Sequence, residues 1–334
     1  MFAHFRSRVY NIQEIRNKGL ITMDALVIEN LRKTYSNGRG IKEINLNVQK
    51  GKIHALLGNN GAGKSTTMKC ITGIIFPEGG RIEVMGDELR DNDPKVKSCI
   101  GYSPELPSFP RNLTGRQCLV VYGYLKGLSK NQIRLESRDL LEKVGLIDAS
   151  EIKVSQYSRG MLQRLDLAIA MEGSPDVLIL DEPTAGLDPS SASKLRILLK
   201  EQAEEGQTIL LSDHQLSEVE RLCSDATIIN EGRTVIQSKM SDLLKKVKGK
   251  LKYIAEFSSI SDGLIRGIEK IDDIVGVEVD HSNRNALIIY CNTRNQLDDE
   301  VSRVAKAEGC SLYSLTESRA TLEDIFLSLV DNGE

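Results

Sequence analysis

The most constraining feature of this sequence is a glycine-rich turn at residues 58–66, which lies between an apolar run and a predicted helix. The turn reads Gly-Asn-Asn-Gly-Ala-Gly-Lys-Ser-Thr and follows Ile-His-Ala-Leu-Leu at 53–57. A short apolar run predicts a buried strand. The spacing GxxxxGKS between a strand and a helix is typical of a loop that binds phosphate groups. Glycines let backbone N–H groups approach a polyphosphate closely, and the N-terminus of a helix adds partial positive charge.

The turn also supplies side chains for the outer phosphates and for a metal ion. Lys64 can reach the outer phosphates, and the hydroxyl of Ser65 can ligate Mg²⁺. A plain glycine-rich turn with a surface lysine is the alternative, and the flanking strand and helix argue against it. We predict that the following residues bind the polyphosphate: Gly58, Asn59, Asn60, Gly61, Ala62, Gly63, Lys64, Ser65 and Thr66.

Size and composition restrict the class of protein. With 334 residues the chain is longer than one typical domain, so two domains are expected. The net charge of −3 argues against nucleic acid as the main partner. The six cysteines include no CxxC pair, which indicates reduced cysteines without a cysteine metal site. No apolar stretch approaches the roughly 18 residues that cross a bilayer, so a membrane role would require a partner.

The first part of the chain divides into a basic extension and a β unit. We interpret residues 1–22 as a poorly ordered extension, with a basic helix on a membrane surface as the alternative. Residues 24–57 alternate apolar and polar side chains between glycine turns, which predicts a small antiparallel β unit. Tyr35 precedes one of these turns. Its ring could stack on adenine, and packing beside the turn is the alternative.

The middle of the chain predicts a parallel sheet with acidic residues at one edge. Asp-Val-Leu-Ile-Leu-Asp at 176–181 is typical of a strand buried on both faces. Asp181 and Glu182 then lie at its carboxyl end, where such sheets bind ligands. His214 follows the next predicted strand, 208–212, at the same edge. Strands and helices continue to alternate, which indicates a sheet with helices on its faces.

Three segments depart from this alternation. The pattern at about 106–172 predicts a helical insertion, and the lysine-rich stretch at 241–250 predicts a linker. Residues 251–334 give the order βαββαβ of a split βαβ sandwich, followed by a helix at 321–331. We therefore predict a main domain at 23–240 and a C-terminal accessory domain.

A set of motifs in residues 24–240 resembles the nucleotide-binding subunit of an ABC transporter. The motifs that join the phosphate loop are Tyr-Ser-Arg-Gly-Met at 157–161 (the signature), Leu-Ile-Leu-Asp-Glu at 178–182 (Walker B), Ala-Gly-Leu-Asp at 185–188 (the D-loop) and Ser-Asp-His at 212–214 (the switch histidine). The YSRGM form and the C-terminal domain resemble the ATPases of type-2 ABC exporters. The resemblance implies an α/β P-loop NTPase core, with a mostly parallel sheet, an antiparallel β subdomain and a helical insertion, plus a small α+β ferredoxin-like domain.

The resemblance also implies catalytic and metal-binding roles. Lys64 would bind the β- and γ-phosphates of ATP. Ser65 and Asp181 would hold Mg²⁺. Glu182 would be the general base that polarises the attacking water, and His214 would contact the γ-phosphate. This division of labour suits phosphoryl transfer, which requires positioning and charge neutralisation.

Four further residues complete the implied site. Tyr35 matches the aromatic residue that stacks on adenine, and Ser158 and Gly160 would hold the γ-phosphate of ATP bound by a second subunit. Glu105 departs from the family pattern, which has glutamine after Tyr-x-Pro. A carboxylate could ligate Mg²⁺ but would otherwise repel the γ-phosphate. Contact with a membrane partner is the alternative role for Glu105.

We hypothesise an ATPase whose copies dimerise head to tail around ATP and drive transport through a separate membrane permease. The chain would then be peripheral, on the cytoplasmic side of the membrane, with a homodimer expected and no nucleic acid partner. A soluble ABC-type ATPase that is not coupled to a transporter is the alternative. A regulatory module that holds ATP without hydrolysing it is a third hypothesis, and the set of Lys64, Asp181, Glu182 and His214 argues against it.

Overall fold

The structure is a computed structural model, and the residues that it describes form two compact units. The described ranges are 24–90, 93–247, 251–280, 283–292, 297–318 and residue 322. One unit contains residues up to 214 together with 227–236, and the other contains 215–226 and the residues from 237 onward. The predicted extension at 1–22 lies outside the described residues, as does the predicted helix at 321–331 apart from Leu322.

A ten-stranded mixed sheet occupies residues 24–239. Its strands are β1 Asp24–Thr34, β2 Gly40–Gln49, β3 Ile53–Leu57, β4 Gly79–Val84, β5 Asp87–Glu88, β6 Ile100–Ser103, β7 Val177–Asp181, β8 Thr208–Ser212, β9 Asp225–Asn230 and β10 Arg233–Lys239. Their order across the sheet is β5-β4-β1-β2-β10-β9-β3-β8-β7-β6. The pairs β1–β2, β1–β4 and β4–β5 are antiparallel, whereas β3, β8, β7 and β6 pair in parallel.

The parallel part of the sheet forms the buried centre of the first unit. Every residue of β3, β7 and β8 is buried. Strands covered on both faces require nearly continuous apolar sequence, which these three strands have. Because Asp181 pairs in register with Ser212, the carboxyl ends of β7 and β8 meet at one edge. The polar residues that follow these strands are therefore brought together.

The described residues between 64 and 247 also form eight α-helices. They are α1 Lys64–Ile71, α2 Pro94–Ser98, α3 Gly115–Leu125, α4 Lys130–Lys143, α5 Arg159–Met171, α6 Pro189–Glu204, α7 Leu216–Leu222 and α8 Met240–Val247, with 3₁₀ turns at Ile147–Ala149 and Val154–Gln156. Side-chain caps set several helix starts. Thr114 and Ser129 form capping boxes at α3 and α4, and Asp188 caps α6 ahead of Pro189.

The described residues from 251 to 318, which lie in the second unit, form a four-stranded antiparallel sheet with two helices. Its elements are β11 Leu251–Phe257, α9 Asp262–Ile268, β12 Ile274–Val279, β13 Ala286–Cys291, α10 Leu297–Ala307 and β14 Leu312–Ser318. The strand order is β12-β13-β11-β14, so each βαβ pair of strands has another strand between its members. Phe257, Leu264 and Val301 lie in the core between sheet and helices. This is the split βαβ arrangement of a ferredoxin-like fold.

The predicted fold class is confirmed, and four elements differ from the sequence analysis. The short strand β5, the strand β10 and the short helix α2 were not predicted. Residues 240–247, which include most of the predicted linker, are helical as α8. In α8, Leu243 is buried, so apolar packing supports a segment whose lysines suggested only a solvated connection. Within the described residues, no helix combines the length and apolar composition that crossing a bilayer requires.

Candidate nucleotide-binding and hydrolysis site

The phosphate loop follows the buried strand β3 and ends where α1 begins. Gly63 caps α1 with a φ of +111°, a conformation that residues other than glycine rarely adopt. A Cβ atom at Gly63 would lie 2.5 Å from Cγ2 of Ile41, so any larger residue would also displace the neighbouring strand. The loop therefore requires glycine at this position both for its backbone conformation and for its packing.

Lys64 folds back across the loop. Its Nζ donates hydrogen bonds to the carbonyl oxygens of Gly58 at 2.6 Å and Asn59 at 3.3 Å. Burial lowers the pKa of Lys64, and the charges of Glu182, Asp181 and Glu105 oppose that change. The negative charges of these three acids therefore favour the charged form of the ammonium group. Phosphate oxygens would be stronger acceptors than the carbonyls that Lys64 contacts here.

An open cleft of about 500 Å³ lies over the loop. Most of the residues predicted to bind nucleotide or metal line it, namely Tyr35, Asn60, Gly61, Gly63, Lys64, Ser65, Thr66, Glu105, Glu182 and His214. Asn37, Arg39 and Gly40 also line the cleft and were not predicted. The turn Gly38-Arg39-Gly40 was visible in the sequence, but nothing local indicates that β1 and β2 place it beside the phosphate loop.

Other predicted residues do not line this cleft. Gly58, Asn59 and Ala62 belong to the loop itself, and Asp181 is only 3% exposed. Ser158 and Gly160 lie at the start of α5, and neither lines the cleft. Their predicted role requires the ATP of a second subunit, which is consistent with a position outside the cleft of their own chain.

Ser212 fixes the two acids at the carboxyl end of β7, Asp181 and Glu182. Its hydroxyl donates to Oδ1 of Asp181 at 2.6 Å, and its carbonyl and hydroxyl oxygens both accept from the N–H of Glu182 at 3.1 Å. Glu182 has a φ of +53°, the left-handed conformation that is costly for a residue with a side chain. Contacts from β8 therefore hold Asp181 behind the cleft and turn Glu182 into it.

Glu182 and His214 form a polar pair in the cleft. Nε2 of His214 lies 2.5 Å from Oε1 of Glu182. Burial raises the pKa of Glu182, His214 lowers it, and the nearby charges of Glu105 and Asp181 raise it. A carboxylate whose pKa is raised accepts a proton more readily than an exposed one, which suits a general base.

The loop between Glu182 and the D-loop has an additional anchor that the sequence did not reveal. The hydroxyl of Thr184 donates to Oδ2 of Asp213 at 2.5 Å, and both side chains are buried. Asp213 precedes His214, so this hydrogen bond ties the Walker B segment to the segment that carries the histidine. It therefore supports the relative positions of Glu182 and His214.

The signature lies against the D-loop of the same chain. Ser158 caps α5, its hydroxyl accepting from the N–H of Met161 at 3.2 Å. A Cβ atom at Gly186, where φ is +76°, would lie 2.7 Å from Nε of Arg159. Gly160 similarly faces Leu187. The signature and the D-loop thus form one continuous surface.

Oxygen donors dominate the region where a metal ion was predicted. Among the described residues, no group of three or more His, Cys, Asp or Glu side chains could hold a metal ion by itself. The carboxylate of Asp181 and the hydroxyl of Ser65 are nevertheless suitable ligands for Mg²⁺, which commonly takes its remaining ligands from water and from nucleotide phosphates. The residues present therefore fit Mg²⁺ bound together with a nucleotide.

Comparison with known proteins gives a consistent family relationship. The family model for the ABC transporter domain matches residues 41–185. The bacitracin transport ATP-binding protein BcrA of Bacillus licheniformis is 34% identical over 305 residues, which cover 91% of this chain and 96% of that protein. The linearmycin resistance ATP-binding protein LnrL of Bacillus subtilis is 30% identical, with coverage of 91% and 97%.

Solved structures give the same relationship for the larger unit. A structure of the ATP-binding subunit of an ABC transporter is 31% identical, with a TM-score of 0.62, and covers 67% of this chain and 93% of its own. The structure of cbiO1 from Clostridium perfringens, part of the transporter complex cbiONQ, is 30% identical, with a TM-score of 0.58 and coverage of 67% and 94%.

Proposed function

The chain belongs to the ABC transporter family as an ATP-binding subunit that hydrolyses ATP to power transport, and we propose that two copies enclose ATP head to tail and drive a separate permease. One observation carries this proposal. The phosphate loop, Glu182 and His214 converge on one cleft, whereas Ser158 and Gly160 lie outside it. A cleft that lacks the signature residues is half of a site, which a second copy would complete.

Within one chain, the proposed reaction uses positioned charge rather than covalent chemistry. Lys64 binds the outer phosphates and exchanges its carbonyl contacts for phosphate oxygens. Glu182 accepts the proton of the attacking water, while His214 orients the γ-phosphate. Asp181 and Ser65 would hold Mg²⁺, which would neutralise charge on the phosphates.

Tyr35 and Arg39 lie on the loop between β1 and β2 and line the cleft. We assign stacking on adenine to Tyr35, which is 37% exposed and therefore has a ring face available. Arg39 adds a guanidinium group that can bind phosphate oxygens. Glu105 is assigned to the Mg²⁺ and water region, since it lines the cleft with Glu182.

The second copy would contribute the N-terminus of α5. Helix N-termini carry partial positive charge and free N–H groups, and both favour a γ-phosphate. The D-loop lies beside this surface, with Arg159 packed against Gly186. A change at Gly186 should therefore disturb the signature without altering the cleft of its own chain.

We expect Gly186→Ala to lower ATP hydrolysis several-fold. Alanine at a positive φ costs about 1 kcal/mol of folding stability, and its Cβ would push Arg159 away. Gly127→Ala is the matched control, because Gly127 has a φ of +80° and a Cβ atom added there would meet no atom within 4 Å. Both variants should unfold at similarly reduced denaturant concentrations, but only Gly186→Ala should lose activity. Equal activity in the two variants would contradict the role of this contact.

The helical insertion offers an apolar surface for the permease. Three apolar side chains on α3, Val121, Tyr124 and Leu125, are exposed, and Leu125 is 76% exposed. Leu106, close in sequence to Glu105, is 70% exposed. Contiguous exposed apolar side chains commonly mark interaction sites. We infer that a membrane subunit covers α3, which would place the chain at the cytoplasmic face of the membrane.

The permease proposal is tested by recovering the complex from solubilised membranes. Leu125→Glu should reduce the co-purified integral membrane protein at least tenfold, because a charge in an apolar interface is costly. Leu135→Glu is the matched control, since Leu135 is 69% exposed but lies on α4. ATP binding should be unchanged in both. An undiminished membrane partner with Leu125→Glu would contradict this docking surface, and its absence with the unmodified chain would favour a soluble ATPase.

The relatives suggest the direction and cargo class. They are named for bacitracin transport and for linearmycin resistance, which supports an exporter of antibiotic-like compounds. We also propose that residues 23–240 are the ATPase domain and that residues 251–334 are an accessory domain.

A further inference from the structure

A buried hydrogen bond joins the strand that leads to Glu105 with the helix that carries the signature residues. The hydroxyl of Ser103 donates to Oδ2 of Asp166 at 2.5 Å. Both side chains are buried, at 1% and 6% exposure. The two residues are 63 positions apart in sequence, so this is a tertiary contact between β6 and α5.

The contact lies between two elements that the proposed hydrolysis uses. Ser103 ends β6, and Glu105 follows shortly afterwards in the cleft. Asp166 lies in α5 about 12 Å along the axis from Ser158, at 1.5 Å per residue. One hydrogen bond therefore connects the cleft of a chain with the element that would complete the other copy's site.

Packing alone does not account for a carboxyl group at position 166. An apolar side chain would fill the space without the cost of burying an ionisable group, and aspartate is a poor residue for a helix interior. Burial raises the pKa of Asp166 to about 7, while the hydrogen bond from Ser103 and the charge of Lys126 lower it. The carboxyl group of Asp166 accepts a directional hydrogen bond, which fixes the position of β6 relative to α5 more specifically than apolar packing would.

Tyr102 links the same region to the Walker B acid. Its hydroxyl is buried and has no hydrogen-bond partner among the described residues. Burial raises the pKa of Tyr102, and the charges of Asp181 and Asp166 raise it further. The hydroxyl therefore lies within the fields of both carboxylates, and a shift of β6 would alter its surroundings together with the position of Glu105.

We propose that Ser103 and Asp166 are positioning residues for ATP hydrolysis, whose hydrogen bond holds the end of β6, and with it Glu105 in the cleft, against α5 of the same chain. Without this bond, Glu105 is less well placed relative to Glu182. This inference rests on the proposed function, because it assigns Glu105 to the site of hydrolysis.

The test separates positioning from folding. Ser103→Ala should lower kcat at least fivefold, with KM for ATP and the Kd of a single chain for ATP within twofold of their original values. Ser137→Ala is the matched control, because the buried hydroxyl of Ser137 donates at 2.5 Å to the carbonyl oxygen of Ile133 within α4 and has no hydrogen bond to another element in the described part of the chain. It should leave kcat unchanged. Asp166→Asn retains an acceptor and should keep at least half of kcat.

A double variant distinguishes loss of the hydrogen bond from the effect of leaving the Asp166 carboxyl group unpaired. Ser103→Ala with Asp166→Leu replaces both partners by apolar groups, so neither substitution leaves its partner as an unpaired polar group and the chain should stay folded. Its kcat should be as low as that of Ser103→Ala, because the two changes remove one contact. Full activity of the double variant, or equal losses in Ser103→Ala and Ser137→Ala, would overturn the inference. A chain of unaltered sequence that hydrolyses no ATP would overturn the proposed function as well.

Discussion

Replacing Glu182 by glutamine should reduce ATP hydrolysis by about 10²-fold to 10⁴-fold, the range that a general base commonly contributes. Glutamine has the same shape and preserves the hydrogen bonds that the backbone N–H of residue 182 donates to Ser212, but its amide cannot accept the proton of the attacking water. Burial raises the pKa of Glu182, so its carboxylate is a stronger base than an exposed one. The measurement is steady-state phosphate release at saturating ATP and Mg²⁺.

Glu231→Gln is the matched control for this change. Glu231 also has a left-handed backbone, with a φ of +46°, but its side chain is 80% exposed and does not line the cleft. Its substitution should leave kcat within twofold. If Glu182→Gln retained the full rate, another group would have to accept the proton, and the assignment of Glu182 as the base would be wrong.

Lys64→Ala should weaken ATP binding by at least 100-fold, which corresponds to about 2.7 kcal/mol. In the structure Lys64 is 7% exposed, and its ammonium group is directed at the loop carbonyls between which the phosphates would bind. A hydrogen bond from the Lys64 ammonium group to a phosphate oxygen is charge-assisted. It is strong here because the lysine side chain is buried and little water competes for it. Removing the side chain also leaves the nearby acids Glu182, Asp181 and Glu105 without a compensating positive charge.

Lys69→Ala tests whether any lysine of α1 would have the same effect. Lys69 lies in the last turn of that helix and does not line the cleft. Equilibrium binding of a fluorescent ATP analogue should give an unchanged Kd for this variant. Binding of ATP by Lys64→Ala with the original Kd, in a chain that unfolds cooperatively, would contradict the assignment of this cleft as the ATP site.

The sequence predicted the parts of the site that depend on local patterns. The phosphate loop needs one strand, one turn and one helix in succession, and each leaves a local signal. The acids at the carboxyl end of β7 were located because a continuous apolar run predicts a buried parallel strand, and such sheets bind ligands at that end. The βαββαβ order of the C-terminal domain was predicted from local patterns too, because each of its strands and helices has its own apolar periodicity in the sequence.

The missed features depend on residues that are far apart in sequence. Arg39 lines the cleft because β1 and β2 bring their loop to the phosphate site. The hydrogen bond between Thr184 and Asp213 joins the segments that follow β7 and β8. Ser103 and Asp166 are each ordinary in their local sequence, and their pairing appears only when α5 packs on β6. The helix α2 did have a local signal, Asp93 followed by Pro94, which could have been used.

The central claim, that one copy's signature seals ATP bound by another, is tested most directly by self-association of the Glu182→Gln chain. Sedimentation velocity should show monomers without nucleotide and dimers with ATP and Mg²⁺, because hydrolysis no longer releases the ATP that joins the copies. Adding Gly160→Asp, which places a negative charge at the signature, should abolish the dimer while each chain still binds ATP. Sedimentation of Glu182→Gln as a monomer at saturating ATP, even with its permease present, would contradict the account.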